Sequence, residues 1–379
     1  MERRGTIRAA LAVVLLAAGC GGSSDGESAP TTTDKSVAEL TSAFTPVVVT
    51  DPGGLAPGPF IDLGTNDEVD YVDTMAGGPD GAWVTVLGDR DNDSPNRAVL
   101  VDPQSGDVSI DAEVPDRPGA IAASAGAAWV YGFADDSITR VDAASGETTP
   151  IDGAFRCVAA HGSNVWVGGE TVVQLDPTTG EATGVTAIGD AAAATDVSGT
   201  VPDFAVEWLA DGFDGTDVSC SWPLALSETM LWIADSGLVF GFDPESGRAQ
   251  TVVGTAEMDI EAAVAVPGGL WVFGDVELDD DVKMAWLITD AGEISAKVDI
   301  EHLDGSIGQA TTDGTHLFLD LTDDPADGAP TTSIVVLSAD DGSDVASIAV
   351  DAQHYLGLAT AGGKVFITTE RPYGIQIFE

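Results

Sequence analysis

The stretch AAWVYGFADDSITRVDAASG, Ala127–Gly146, contains the two local signals that decide the fold. It begins with a short apolar and aromatic run around Trp129 and ends in the turn sequence VDAASG. Short β-branched and aromatic runs without a helical period favour β-strands. In the turn, Asp142 can accept a hydrogen bond from a backbone N–H two residues on, and Gly146 can adopt a positive φ. The stretch therefore predicts two strands and a tight turn into a further strand.

The same unit recurs along the whole chain. Aromatic anchors stand at the position of Trp129 in seven places, namely Trp83, Trp129, Trp166, Trp232, Trp271, Phe318 and Phe366. Related turns follow six of them, at Val101–Gly106, Val141–Gly146, Leu175–Gly180, Phe242–Gly247, Thr289–Gly292 and Ser338–Gly342. Most anchors are roughly 40–50 residues apart, a period that suits a blade of four antiparallel strands. Because no such blade can bury both faces alone, we expect the units to stack in a ring.

These units predict an all-β fold, a seven-bladed β-propeller of four-stranded blades. After Phe366 the sequence holds only enough residues for a third strand, so the last blade lacks its fourth. The apolar segment PFIDL, Pro59–Leu63, precedes the first unit and is similar to the other fourth strands. We therefore expect it to lie beside Ile375–Phe378, where an N-terminal strand closes the last blade. Six or eight blades are the alternatives.

The repeat resembles the streptogramin-lyase-like and YVTN-type propeller repeats over roughly Tyr71–Glu379. The resemblance implies a propeller whose fourth-to-first and second-to-third loops lie together at one end of the channel, called the upper end below. The first-to-second and third-to-fourth turns then lie at the lower end. The upper end is where propellers usually bind ligands, but many non-catalytic propellers share the repeat, so the resemblance implies no activity.

The N-terminus predicts export. Three arginines precede the apolar run Ala9–Ala18, which is too short for a stable membrane anchor and is followed by Gly19 and Cys20. The segment resembles a bacterial lipoprotein signal, with an ordinary secretory signal as the alternative. We expect a signal peptide over 1–19, lipidation of Cys20, a flexible tether over 20–44 and a propeller over 45–379. The protein would then be lipid-anchored on the extracytoplasmic face of the cell membrane.

The charge is strongly negative. The chain has 14 Lys and Arg against 63 Asp and Glu, a formal net charge of −49. Such a surface repels nucleic acid and anionic lipid headgroups. Adaptation to salt and the capture of cationic ligands are both open explanations. We expect a monomer that contacts the membrane only through its lipid and whose partner is an extracytoplasmic protein or a small ligand.

Two cysteines remain if Cys20 carries lipid. Cys157 and Cys220 both fall near the start of first strands in adjacent blades. Outside the cytoplasm a disulfide between them is permitted, and we predict one. It would staple the base of an insertion near residues 188–218. Trp208 in this insertion either packs as part of a stabilising lid or flanks a ligand.

The starts of the first strands are expected to ring the upper mouth of the channel. The residues there are Tyr71, Arg117, Arg156, Ser219, Glu261, His302 and His354. The arginines either bind a ligand or pair with nearby carboxylates, and the histidines either hydrogen-bond at the surface or take part in chemistry. His161 and His316 fall at turns of the lower end, which makes them poor site candidates.

Long acidic second-to-third loops are predicted in blades 1, 5 and 6, and Asp320 is among their carboxylates. In the first of these loops Asp89, Asp91 and Asp93 have the spacing of calcium-binding oxygens. Because the Gly and Glu of an EF-hand are missing, the loop is either a solvated acidic segment or a weak calcium site. We expect no cofactor, with calcium or magnesium as the alternatives.

Two functions follow. The first is a non-catalytic binding or interaction protein displayed on the cell envelope. The second is a metal-assisted lyase or hydrolase acting on a small ester or lactone. Streptogramin lyases use His and Glu with magnesium at the channel mouth, and His302, His354 and Glu261 match them by approximate register alone. The His-Gly and W-F-T-E signatures of that family are absent from the sequence.

Overall fold

The computed structural model describes residues 51–379 except 64–68, 89–93, 115–116, 135, 170, 188–223, 236–237, 256–257, 277–281, 301–302, 304, 324–330, 351–356 and 371–372. These residues form seven antiparallel sheets of four strands each. The structure therefore confirms the all-β, seven-bladed propeller and excludes six or eight blades. Within the same ranges, no helix has the length and apolarity that a membrane span needs.

The strands follow one another in simple order. They are β1 (Pro57–Asp62), β2 (Val69–Gly78), β3 (Gly81–Gly88), β4 (Arg97–Val101), β5 (Val108–Glu113), β6 (Pro118–Ser124), β7 (Ala127–Gly132), β8 (Ser137–Asp142), β9 (Thr148–Ile151), β10 (Phe155–His161), β11 (Asn164–Gly169), β12 (Val172–Leu175), β13 (Ala182–Thr186), β14 (Leu224–Leu226), β15 (Leu231–Asp235), β16 (Leu238–Phe242), β17 (Ala249–Gly254), β18 (Met258–Val266), β19 (Gly269–Val276), β20 (Val282–Thr289), β21 (Ile294–Asp299), β22 (Ser306–Thr312), β23 (His316–Asp323), β24 (Thr331–Ser338), β25 (Asp344–Val350), β26 (Leu358–Ala361), β27 (Lys364–Glu370) and β28 (Tyr373–Phe378). Blades 1 to 6 take four consecutive strands each from β2 onward, and blade 7 is β26–β27–β28 with β1 outermost.

Strand β1 closes the ring as the sequence predicts. It pairs antiparallel with β28, with Ile61 opposite Ile375 and Phe60 opposite Gln376. Beyond the strand, Ala56 N donates to Glu379 O at 3.0 Å and the reverse bond is 3.2 Å. The N-terminal segment therefore supplies the fourth strand of the last blade.

Blade 1 also holds this closing segment. Arg97 Nη2 donates a hydrogen bond to the backbone oxygen of Leu63 at 2.7 Å, and its Nη1 pairs with Asp111 Oδ2 at 2.8 Å. Ile61 and Leu63 are buried in one apolar cluster with Phe366 of blade 7 and side chains of β2, β3 and β4. The closing strand thus belongs to the interface between the last blade and the first.

The aromatic anchors fill the interfaces between neighbouring blades. All seven are at most 1% exposed. Trp129 packs on Val165 and Val167 of blade 3, and Trp271 packs on Leu317 and Leu319 of blade 6. Burying a side chain of this size contributes several kcal/mol per interface, about 3–5 kcal/mol by the cost of truncation. The anchors are therefore the main cohesive element of the ring.

At the anchor positions the size of the aromatic ring matters more than its ability to donate a hydrogen bond. The indole N–H of Trp129 donates to Ser124 Oγ at 2.9 Å, and that of Trp271 donates to Ala339 O at 2.8 Å. In contrast, the indole N–H groups of Trp83, Trp166 and Trp232 find no partner among the described residues. Blades 6 and 7 use phenylalanine at the equivalent position, and both of these rings are fully buried.

The turns after the third strands have the hydrogen bonds that their sequence predicts. Asp102 Oδ1 accepts from the backbone N–H groups of Gln104 and Ser105, both at 2.8 Å. Equivalent bonds occur at Asp142, Asp176 and Asp243. The glycines that end these four turns have φ between 69° and 75°. The backbone N–H of Ser105 holds the pKa of Asp102 below its usual value.

Candidate functional site

A cavity of about 670 Å³ opens at the lower end of the channel. Its wall is formed by the first-to-second turns of six blades, with a contribution from the third-to-fourth turn of blade 1. The segments are Gly77–Asp80, Asp102–Gln104, His161, Ser227–Thr229, Ala265–Gly268, Thr311 with Thr312 and Gly314, and Thr360–Gly362. The volume lies in the range of small-molecule sites. We call this space the lower cavity.

A second cavity of about 340 Å³ lies in the channel itself. It is lined by the inner strands β2, β6, β18, β22 and β26, and it shares Gly77 and Thr311 with the lower cavity. The two spaces therefore follow one another along the channel. Glycine at 77 is required by packing, because a Cβ there would lie 1.9 Å from the backbone oxygen of Thr360.

Hydrogen bonds between neighbouring blades hold the rim of the lower cavity. Asp80 Oδ2 accepts from Gly126 N at 2.7 Å, which joins blade 1 to blade 2. Ala125 N donates to Gly162 O at 2.8 Å, joining blade 2 to blade 3. Thr360 Oγ1 donates to the backbone oxygen of Thr312 at 2.7 Å, joining blade 7 to blade 6. The rim is therefore largely preformed.

The lower cavity is anionic. Its charged side chains are Asp80, Asp102 and Glu228, and its wall contains no Lys or Arg. Beside it, Thr229 Oγ1 donates to Asp290 Oδ2 at 2.7 Å. The other carboxylate oxygen, Asp290 Oδ1, is closed off from solvent and accepts no hydrogen bond from the described residues. Asp290 therefore places a further carboxyl group next to the cavity wall.

His161 lies on the wall of this cavity, although its position in a lower-end turn makes it a poor candidate from sequence. Burial lowers the pKa of His161, and the nearby Glu228 carboxylate partly opposes that effect. The imidazole is therefore neutral at neutral pH and can both donate and accept a hydrogen bond. The sequence places His161 at a turn but gives no signal that the turns at this end enclose a cavity.

At the upper end, the two predicted mouth arginines have acidic neighbours. Arg156 Nε lies 3.5 Å from Asp136 Oδ2, and the arginine side chain is 63% exposed. Burial raises the pKa of Asp73 to about 6, and the positive charge of Arg117 opposes this shift. Tyr71 is the third residue of β2 and not a residue of the preceding loop. Strand β2 starts earlier than predicted because it continues past a β-bulge between Val69 and Tyr71.

Glu261 shows the same difference, since it lies inside β18 at the bulge between Ile260 and Ala262. Its Oε2 pairs with Lys283 Nζ at 3.1 Å and accepts from Ile307 N at 3.3 Å. Glu261 thus holds blade 5 to blade 6 beside the channel, and this structural role is one that its sequence context does not reveal.

Several predicted site residues lie outside the described residues. They are Cys20, Asp89, Asp91, Asp93, Trp208, Ser219, Cys220, His302 and His354. Cys157 is buried on β10, and its pairing with Cys220 stays a prediction. Within the part of the chain that the structure describes, no group of three or more His, Cys, Asp or Glu side chains is arranged to hold a metal ion.

Asp320 corrects the sequence interpretation, because it lies in strand β23 and not in an acidic loop. Its side chain is almost fully buried and accepts hydrogen bonds from the backbone N–H groups of Gln309 and Gly308, in the bulge of β22. The Gln309 side chain in turn accepts from Leu358 N at 3.0 Å, which links blade 6 to blade 7. Burial raises the pKa of Asp320 to about 6.

We expect Asp320→Asn to stabilise the protein at pH 7. The pKa of Asp320 is 3.8 in the unfolded chain and about 6 in the folded protein. Between these two pH values the folded protein keeps a proton that the unfolded chain has lost, so the free energy of unfolding falls as the pH rises. Asparagine keeps the acceptor oxygen and removes the charge. At pH 7 the free energy of unfolding should rise by at most about 3 kcal/mol, and between pH 4 and 6 it should depend less steeply on pH than in the unchanged chain.

Urea unfolding at pH 4, 5, 6 and 7 measures this effect. The exposed Asp107→Asn is the matched control for the loss of one carboxylate and should change the free energy of unfolding at pH 7 by less than about 0.5 kcal/mol. A steeper fall in stability with pH in Asp320→Asn, or a less stable protein at pH 7, would show that the charged form is well solvated in the fold.

The chain matches no protein-family model and no curated protein. Among solved structures, a chain in the crystal structure of the mitotic checkpoint complex is similar to it, with a TM-score of 0.55 and 14% identity over 96% of this chain and 99% of that chain. The β-propeller domain of Cps50 (Swd1) from Myceliophteria thermophila has a TM-score of 0.54 and 10% identity over 84% and 99%. BamB from Moraxella catarrhalis has a TM-score of 0.49 and 15% identity over 86% and 99%. At these identities the likeness shows the propeller fold alone.

Proposed function

We propose that this propeller is a non-catalytic binding protein and that its ligand occupies the lower cavity. The observation that carries the proposal is the construction of that cavity from the turns of six blades. The turns contribute several polar side chains, and hydrogen bonds at the rim join neighbouring blades. A preformed concave space with a few convergent polar groups is the general form of a ligand site.

The same proposal places the protein outside the cytoplasm, tethered by a lipid on Cys20. Its support is the arginine-led apolar segment that ends at Cys20, together with the net charge of −49, which disfavours nucleic acid and anionic surfaces. We propose that a Cys157–Cys220 disulfide, permitted in that compartment, fastens the insertion between blades 3 and 4. The ligand is then one that reaches the outer face of the membrane.

The described residues offer no observation that favours the lyase or hydrolase alternative. Glu261, the one member of the proposed catalytic set within them, already pairs with Lys283 and accepts a hydrogen bond from Ile307 N.

A thermal-shift screen of the full-length chain against amines, sugars, carboxylates and divalent cations tests the proposal. A ligand that binds only the folded state must raise the melting temperature. We expect at least one class to do so in the unchanged chain and to lose its effect in Ala265→Phe, because Ala265 lines the lower cavity and a ring there would fill it. Ser347→Phe, on the outer strand of blade 6 and exposed, is the matched control.

Equal shifts in the unchanged chain and in Ala265→Phe would place the binding site elsewhere and overturn the assignment of the cavity. The absence of a shift from every class would contradict a role in binding small ligands.

A further inference from the structure

The distribution of charge in the lower cavity identifies a class of ligand, and this inference rests on the proposed function. The three carboxylates of the wall come from two blades: Asp80 and Asp102 from blade 1, and Glu228 from blade 4. In a ring of seven, two blades that are three steps apart are as far apart as the ring allows. The cavity therefore has two anionic regions on opposite sides.

The side of blade 4 is further reinforced by neighbouring groups. The Glu228 side chain is exposed to the cavity and makes no hydrogen bond to a described residue. Thr229, next to it, connects to Asp290, whose Oδ1 is buried and accepts no hydrogen bond from the described part of the chain. His161 lies close enough to Glu228 for the carboxylate to act on its pKa. A bound cation here would meet the Glu228 carboxylate and the acceptor oxygens of Ser227 and Thr229.

The rest of the wall distinguishes between kinds of cation. Between the anionic regions the lining is aliphatic, with Ala265, Val266 and Pro267 from blade 5 and Ala361 from blade 7. The wall contains carboxylates, hydroxyls and one imidazole, but no Phe, Tyr or Trp. Quaternary ammonium ions are recognised mainly through aromatic faces. Ammonium and guanidinium groups donate hydrogen bonds instead, and carboxylates accept these strongly.

We propose that the lower cavity binds an aliphatic dication whose two positive groups carry N–H donors, one directed to Asp80 and Asp102 and the other to Glu228. The volume of about 670 Å³ accommodates a molecule of this kind with its water. The same chemistry occurs in a free diamine and in a pair of lysine or arginine side chains on a peptide, so the experiment includes both sources.

Isothermal titration of the full-length chain in 150 mM salt tests the proposal with a series of probes. The probes are α,ω-diaminoalkanes of increasing length from 1,5-diaminopentane upward, 1-aminopentane, 1,5-pentanediol, the bis-trimethylammonium analogue of the diamine that binds most tightly, and the dipeptide Lys-Lys. We expect one of the diamines or the dipeptide to bind most tightly, the monoamine to bind at least about tenfold more weakly, and the diol and the quaternary analogue to bind weakest. Tighter binding of the dipeptide than of any diamine would identify a peptide as the source.

Charge-matched variants separate binding in the cavity from general attraction to an acidic protein. Glu228→Gln should weaken binding of the diamine at least about tenfold, because one of the charge-assisted contacts is lost. Glu245→Gln removes the same charge from an exposed position on the same blade, outside the cavity, and should change binding less than about twofold. Equal binding of the diamine and its quaternary analogue, or equal effects of the two variants, would overturn the proposal.

The outcomes also distinguish the two proposals. If a neutral compound binds in a manner that Ala265→Phe abolishes and the amines do not bind, the cavity is the site and only the cationic specificity is wrong. If the amines bind equally well to Ala265→Phe, the lower cavity is not their site and both proposals fail.

Discussion

A chain that lacks residues 1–63 should unfold at a much lower urea concentration than the full-length chain. The truncation removes β1 and with it the outer strand of blade 7 and its ladder to β28. Ile61 and Leu63 are lost from the apolar cluster between the last blade and the first. Burial of each of these side chains stabilises the fold by about 1.5–3 kcal/mol. Arg97 also loses its acceptor at Leu63 O. We expect a loss of about 3–6 kcal/mol, before the lost backbone hydrogen bonds are counted.

The control for this truncation lacks only the predicted signal peptide and tether, residues 1–44, and keeps β1. It should unfold with the midpoint of the full-length chain. The same midpoint for both truncated chains would mean that the closing strand contributes little to the ring, whatever its position in the structure.

The second large effect is expected for Trp271→Ala. Trp271 is fully buried, its ring is stacked on Phe273 at a centroid distance of 6.2 Å, and its indole donates to Ala339 O of blade 6. The blades pack so closely here that a Cβ on Gly342 would lie 2.8 Å from the Trp271 ring. Truncation leaves a cavity and an unpaired carbonyl at the interface, so we expect a loss of about 3–5 kcal/mol in urea unfolding.

Phe133→Ala provides the comparison for Trp271→Ala, because Phe133 is an aromatic side chain that is 68% exposed. This variant should change the free energy of unfolding by less than about 0.5 kcal/mol. If Trp271→Ala were equally mild, the aromatic anchors would not be the cohesive element of the ring.

The sequence predicts the fold because six of the seven blades carry both local signals, the aromatic anchor and the turn after the third strand. The anchor Trp129 and the turn at Asp142 specify a strand, a turn and a strand without reference to the rest of the chain. Closure could be predicted from Pro59–Leu63 because the last unit lacks a fourth strand and this apolar segment, which is similar to the other fourth strands, precedes the first unit. Because the unit repeats, each aromatic anchor can be compared with six others in the same chain, and each turn with five others.

The candidate site could not be predicted in the same way, since it depends on contacts between blades. The repeat places His161 in a lower-end turn, but only the packing of six such turns shows that they enclose a cavity. Asp320 has the sequence context of an acidic loop, and its burial results from a bulge in the neighbouring strand, at Gly308 and Gln309. Glu261 on β18 pairs with Lys283 on β20, across the strand β19 that lies between them. This contact can be predicted only when the register of the three strands is known.

The proposed binding function requires that the ligand occupies the lower cavity, and hydrogen–deuterium exchange of the full-length chain measures this directly. When a saturating concentration of the diamine that binds most tightly is added, exchange should slow in the turns around Gly77–Asp80, Ser227–Thr229 and Ala265–Gly268. Unchanged exchange in these turns, together with slower exchange around Arg117 and Arg156 at the upper end, would contradict the assignment.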